Sequence, residues 1–134
     1  SLAFHYVPDF QKLANDIYNL LNTGGYLLFS QEHPIVTATF DGKQHYNKDE
    51  NGNYTSFTFS NYNQPGERDT FWYVDGVKKY HRTFSNIISA LCRVGFVIDT
   101  VCEPSPIENA TDFIPNILEK ELIKPTFLIV KASK

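Results

Sequence analysis

Three histidines stand near chain punctuation in this sequence: His5 before Val7-Pro8, His33 directly before Pro34, and His81 between Tyr80 and Arg82. Imidazole titrates near neutrality, so His5 and His33 are candidate general bases. Each has a structural alternative, capping a strand or bonding a backbone carbonyl. The spacing of the three matches no short metal-ligand motif, and no metal site is expected. Arg82 is suited either to holding an acidic substrate group or to pairing with a carboxylate, and Tyr80 and His81 adjoin it. Trp72, Tyr73, Tyr54, Phe57, Phe59 and Tyr62 make one stretch rich in aromatic residues, a candidate lid for a flat or apolar substrate. Alternation such as Phe57 and Phe59 equally marks a strand packing on the domain.

Composition narrows the classes of function. A chain of 134 residues, 42% hydrophobic and 15% aromatic, can bury the core of one domain. Its 12 Lys and Arg are balanced by 15 Asp and Glu, and Val77-Lys78-Lys79-Tyr80-His81-Arg82 is the only compact basic run. Nucleic-acid binding is therefore not expected. No apolar stretch approaches the ~20 residues of a membrane span, and no signal peptide is visible, so a cytoplasmic protein without membrane contact is expected. Cys92 and Cys102 lie among apolar residues and read as reduced core thiols, in keeping with that compartment. The sequence contains no methionine, so Ser1 is not expected to be the natural start and the chain is expected to be a fragment.

The elements that must position the candidate residues are marked by caps and periodicity. Leu2 to Val7 reads as a strand end running into a loop, since Pro8 breaks the pattern and Asp9 can cap a helix. Phe10, Leu13, Ala14, Ile17, Leu20 and Leu21 then recur at helical spacing, until Gly24-Gly25 ends the helix. Tyr26-Leu27-Leu28-Phe29 has the unbroken apolar pattern of a strand covered on both faces, and Ser30 to Pro34 is expected as the loop at its C-terminal end. From about Ile35 to Tyr80, Asp41-Gly42, Asn51-Gly52, Pro65-Gly66 and Asp75-Gly76 are turn signals. Phe71-Trp72-Tyr73-Val74 and Val77-Lys78-Lys79-Tyr80 predict a hairpin about a type I′ turn at Asp75-Gly76. Thr83 caps a second helix with Phe84, Ile87, Ile88, Leu91 and Cys92 on one face, stopped by Gly95. Phe96 to Glu103 is a predicted strand, a short helix follows with Pro115 near its first turn, and Thr126 to Lys131 is a last apolar strand. This order predicts an α/β architecture that begins in the middle of a unit.

Four segments go further. Leu2-Ala3-Phe4-His5-Tyr6-Val7-Pro8-Asp9 and Leu21-Asn22-Thr23-Gly24-Gly25-Tyr26-Leu27-Leu28-Phe29-Ser30-Gln31-Glu32-His33-Pro34 come first. Tyr80-His81-Arg82-Thr83-Phe84-Ser85 with Ala90-Leu91-Cys92-Arg93-Val94-Gly95-Phe96, and Pro125-Thr126-Phe127-Leu128-Ile129-Val130, follow in order. Together they resemble the class I S-adenosylmethionine-dependent methyltransferases of the ubiquinone/menaquinone-biosynthesis-like (type 11) group. The resemblance implies the C-terminal half of a Rossmann-like sheet over residues 1–134, with 35–80 as a substrate-side β-hairpin insertion and a last strand that inserts antiparallel. It also implies S-adenosyl-L-methionine as cofactor of the full-length protein, with Leu2, Ala3 and His5 along the cofactor's edge and His33 facing the substrate. Ligands of such a sheet sit beyond the carboxyl ends of its strands, which puts His5, Tyr6, His33 and Pro34 near the site. Trp72, Tyr80, His81 and Arg82 complete the substrate-side candidates. The family's Gly-rich loop and its ribose-binding acidic residue have no counterpart here, since Gly24-Gly25 ends a helix instead of opening one.

The function expected on this basis is methyl transfer to a small-molecule acceptor by the intact protein, with this chain alone inactive. A non-catalytic ligand-binding or interaction module on the same scaffold is the alternative. An open strand edge at Leu2-Ala3-Phe4 predicts homodimers or strand exchange through that edge.

Overall fold

A computed structural model describes residues 2–41, 43–72 and 74–134, and at 71, 72, 74 and 75 it describes the backbone alone. The first helix, α1 (Phe10–Leu20), starts where Asp9 accepts a hydrogen bond from the Lys12 N–H and satisfies one of the orphan donors of the first turn. It is followed by β1 (Tyr26–Glu32) and a one-turn helix, α2 (Pro34–Thr37). Two hairpins come next, β2 (His45–Lys48) with β3 (Tyr54–Thr58), and β4 (Gly66–Trp72) with β5 (Val74–His81). The chain then forms α3 (Phe84–Val94), β6 (Val97–Cys102), α4 (Ile117–Ile123) and β7 (Phe127–Ser133).

The main sheet has the order β1-β7-β6, with β7 antiparallel to both neighbours, as the resemblance implied for the last strand. On the other side of β1, Leu2 forms a parallel bridge to Ser30. One face of this sheet is covered by α1 and α3, which also pack on each other. Phe10 and Ala14 of α1 and Ile87, Ala90 and Leu91 of α3 meet Phe29, Leu128, Val130 and Ala132 of the strands in one cluster. Leu128, Val130, Ile87 and Leu91 are fully shielded from solvent, and burial of each such side chain contributes roughly 1.5–3 kcal/mol. Thr83 caps α3 through the Asn86 N–H, and Gly95, at φ +114°, ends it by bonding back to Leu91 and Cys92. A Cβ at Gly95 would also stand 3.1 Å from the Tyr18 hydroxyl.

Several expectations are corrected. The segment Phe4–Tyr6 is a 3-10 turn, and only Leu2 makes a strand-type bridge. β1 continues through Ser30 to Glu32, and its second face is open, with Tyr26 and Leu28 each 59% exposed. Among the described residues Tyr26 and Leu28 are left largely uncovered, so the apolar run does not mark a strand covered on both faces here. Cys92 and Cys102 are exposed free thiols. The buried stripe of α3 runs through Ile87, Ala90 and Leu91, and one further residue turns Cys92 by about 100° away from it. Asp75-Gly76 is not the tip of its hairpin. Trp72 pairs with Val74 across the tip, and the pairing shifts register between Thr70 and Trp72. Gly76, at φ +79°, takes up the extra residue on β5 in the manner of a β-bulge. Pro115 lies near the first turn of α4 as expected, directly before its N-cap Asn116, but Phe113 and Ile114 stand outside the helix.

Candidate functional site

The Leu2 segment and β1 run parallel, so their carboxyl ends lie side by side, and a cleft of about 820 Å³ opens there. Leu2, His5, Tyr6 and Glu32 line its floor, joined by Thr126 and Phe127, where antiparallel β7 begins opposite Glu32. One wall is α4 with the residue after it, contributing Ile117, Lys120, Glu121 and Lys124. The facing wall is the β2-β3 hairpin with Tyr46, Lys48 and Tyr54. The volume falls within the range of small-molecule sites, and convergent polar groups in an apolar-lined cleft are their usual signature.

At the floor, His5 is 3% exposed and packs on Tyr6, with ring centroids 4.2 Å apart. Its Nδ1 accepts a long bond of 3.4 Å from the Glu32 N–H, so the neutral ring carries its proton on Nε2. That Nε2 lies 4.0 Å from Glu32 Oε2, too far for a hydrogen bond. Glu32 Oε1 accepts from Lys79 at 2.7 Å, whereas Oε2 is buried with no hydrogen-bond partner among the described residues. The imidazole N–H of His5 and the Oε2 oxygen of Glu32 thus stand 4.0 Å apart at the floor of the cleft. Burial holds the His5 pKa below the ordinary imidazole value, against the opposing pull of Glu32, while Lys79 and Arg82 add to the lowering.

His33 is buried at 4% exposure, and both of its ring nitrogens are engaged. Nδ1 accepts the Ile35 N–H at 3.2 Å as the cap of α2, and Nε2 meets Glu103 Oε1 at 2.9 Å. Its pKa is lowered by burial, which outweighs the raising effect of Glu103. His81, at 1% exposure, is held by the Thr37 hydroxyl at Nδ1 and by the Tyr62 carbonyl at Nε2, each at 2.8 Å. Burial lowers its pKa as well. Arg82 donates to the carbonyls of Val7, Pro8 and Tyr80 and lies over the Phe10 ring, so its donors are directed at backbone and not at the cleft. The Tyr80 hydroxyl donates to Glu67. Ala3 is exposed, and the Trp72 side chain lies outside the described residues.

Of the residues singled out in the sequence, Leu2, His5, Tyr6 and Tyr54 come together in the cleft, while His33, Pro34, Phe57, Phe59, Tyr62, Tyr80, His81 and Arg82 are not part of its lining, and Tyr73 lies outside the described residues. Sequence reasoning missed Glu32, Tyr46, Lys48, Lys120 and Lys124. Glu32 reads as loop in the sequence but closes β1. Lys120 and Lys124, four apart, have the spacing of an ordinary solvated helix face. Lys124 is 4% exposed, bonds the Thr126 hydroxyl at 3.2 Å, and has its pKa lowered by burial, against the raising effects of Glu121 and Glu32. Burial, followed by Glu121 and Tyr54, pushes the Tyr46 phenol up to about 12, so it stays protonated.

The described residues do not by themselves fit S-adenosylmethionine. Gly24 and Gly25 follow α1, Gly95 ends α3, and Gly52, Gly66 and Gly76 belong to the hairpin region, so no glycine among the described residues opens a helix toward a carboxylate. The start of α1 is capped by Asp9, an anion already in place.

No protein-family model matches the chain. An uncharacterised protein of Haemophilus influenzae is 35% identical over 104 residues, which are 78% of this chain and 41% of that protein. A solved S-adenosylmethionine-dependent methyltransferase from Mesorhizobium loti matches with a TM-score of 0.85 at 36% identity, over 99% of this chain and 59% of its own. A structure from Listeria monocytogenes assigned to the same class matches with a TM-score of 0.84 at 32% identity, over 99% and 58%. The chain has the α/β fold of S-adenosylmethionine-dependent methyltransferases, and it spans less than two thirds of the length of each of these relatives. Among the described residues no helix is long and apolar enough to cross a membrane.

Proposed function

We propose that this chain forms the acceptor-side, C-terminal portion of a methyltransferase that transfers a methyl group from S-adenosylmethionine to a small molecule. The observation that carries the reading is the pairing of His5 Nε2 with Glu32 Oε2, 4.0 Å apart, on the floor of a cleft at the strand ends of a methyltransferase fold. In-line methyl transfer asks a protein mainly to align two partners and, for a protonated acceptor, to take up a proton. A buried carboxylate oxygen without a donor is suited to receive that proton, and the adjacent imidazole N–H can orient the acceptor's attacking atom.

Leu2, Ala3 and His5 are proposed as the cofactor's edge, with the cofactor's carboxylate and ribose held by residues outside this chain. His33 is assigned to positioning, since it ties the start of α2 to Glu103. Tyr6 is proposed to contact the acceptor directly, whereas Tyr80, His81 and Arg82 would shape the site through the backbone they hold. The type 11 group remains the proposed subfamily.

Calorimetric titration of S-adenosylhomocysteine into this chain, and into the longer natural protein that contains it, tests the proposal. Binding by the longer protein alone is the expected result. Tight binding to the 134-residue chain would overturn the placement of the cofactor site. Binding to neither would favour the ligand-binding module.

A further inference from the structure

Three lysines converge on the upper part of the cleft, linked by the rings they share. Lys48 Nζ lies 4.4 Å from the Tyr54 centroid and Lys120 Nζ 4.8 Å from the same ring. Lys120 also lies 5.7 Å from the Tyr46 ring, which Lys124 approaches at 5.3 Å, with Phe57 at 5.1 Å from Lys124. Tyr46 and Tyr54 meet edge to face at 5.4 Å, and Tyr46 and Phe57 at 5.1 Å. The group is therefore one contiguous cage built from β2, β3 and α4.

Among the described residues, none of these lysines has a carboxylate within ion-pair distance. The two acids in the lining are committed elsewhere: Glu32 to Lys79, and Glu121 to the N–H and hydroxyl of Thr126. Like charges at the spacing of Lys120 and Lys124 repel, and Glu121 and Glu32 act on the buried Lys124 ammonium only from beyond ion-pair distance, so its desolvation is incompletely offset. Arg68, another buried cation, differs in being met by the carbonyls of Ala38, Gln64, Gly66 and Glu67, as does Lys79 in being paired with Glu32. Lys124 has one hydroxyl for three donors. The aromatic rings hold the three charges in place through cation–π contacts without neutralising them. Beside them the lining is apolar, with Leu2, Val36, Ile117 and Phe127.

We propose that the acceptor of this cleft is an organic acid, with its apolar body against Leu2, Val36, Ile117 and Phe127 and its carboxylate among Lys48, Lys120 and Lys124. This rests on the proposed acceptor-side role and names the class of substrate. The acid group anchors at the hairpin and α4, leaving the other end of the molecule near His5 and Glu32. The cation that recognises the substrate is thus the lysine cage and not Arg82, which is occupied by Val7 and Pro8.

The test uses benzoate as the probe, with benzamide as its uncharged isostere, titrated into the natural full-length protein by calorimetry or chemical-shift perturbation. Benzoate should bind about 10-fold or more tightly than benzamide, the sum of three modest ion pairs, and lose the advantage near 1 M salt, where the Debye length is about 3 Å. Lys120→Gln and Lys48→Gln, at half-exposed and exposed positions, should each weaken benzoate several-fold and leave benzamide unchanged. Lys124→Met is the stronger test, provided its thermal unfolding remains cooperative. Equal affinity for the two probes, or no benzoate binding, overturns the proposal. Titration of S-adenosylhomocysteine in the same protein separates the two readings. If it binds while benzoate does not discriminate, the acid acceptor is wrong and the methyltransferase reading survives. If benzoate discriminates and S-adenosylhomocysteine does not bind, the methyltransferase reading is the one that fails.

Discussion

Replacing Arg82 with alanine removes a side chain that ties the start of α3 to the loop following His5. Its guanidinium reaches the carbonyls of Val7 and Pro8, 75 and 74 residues away in sequence, as well as its neighbour Tyr80. A hydrogen bond from a charged donor is worth about 1.5–3 kcal/mol, and a partly desolvated cation–π contact such as that to Phe10 about 1 kcal/mol. These contributions are not additive, and burial of Arg82 opposes them, as the lowering of its own pKa by desolvation shows. A net loss of about 3 kcal/mol is therefore expected for Arg82→Ala, a drop in Tm of roughly 10 °C for a domain of this size. Arg82→Lys keeps the charge but not the planar fork, and should recover less than half. Urea unfolding of the three proteins, followed by far-UV circular dichroism with a shared m value, measures both effects. An alanine variant within about 0.5 kcal/mol of the parent, the range of ordinary surface substitutions, would refute the clamp.

Two further outcomes follow from the same geometry. His5, His33 and His81 are each held below the imidazole value of 6.5 by burial, so between the folded and unfolded pKa values the unfolded chain binds more protons. Their stabilising contribution is full above about pH 6.5 and is lost as pH falls through the folded values, so the urea midpoint should decline from pH ~7.5 to ~5. A flat midpoint across that range would contradict the buried, neutral histidines. Leu2 is 46% exposed and bridged on its Ser30 side, and we propose that its other edge pairs with a second copy. Light scattering of this chain at rising concentration should show a dimer that Leu2→Lys dissolves, and a strict monomer at high concentration counts against it.

The helices were the most legible part of the chain because their signals are local. Asp9 and Thr83 accept the expected N-cap bonds, and Gly95 ends α3 in the left-handed conformation. The hairpin between β4 and β5 was legible as a hairpin but not in its register, because Gly76 serves a bulge as readily as a type I′ turn. Exposure was the weakest inference. Tyr26, Leu28, Cys92 and Cys102 were all assigned to apolar surroundings on type or spacing, and all are exposed.

The residue pattern alone determined where α1 begins, where α3 begins and ends, and that the chain is α/β, since caps, glycines and a 3.6-residue period act over a few positions; α1 itself stops at Leu20, with Leu21 extended, short of the Gly24-Gly25 pair expected to end it. His5 and Tyr6 were placed near a strand end by the same local logic, joined to the general rule for open sheets. Which side chains stand beside them was decided by tertiary structure. Pairing of Leu2 with Ser30, and of Glu32 with Phe127, brings three stretches of chain to one floor, and packing of α4 on the β2-β3 hairpin brings Lys120 and Lys124 onto Tyr46, Tyr54 and Phe57. Those contacts span up to 95 residues, from Glu32 to Phe127, and at that separation the periodicity of a single helix or strand carries no information.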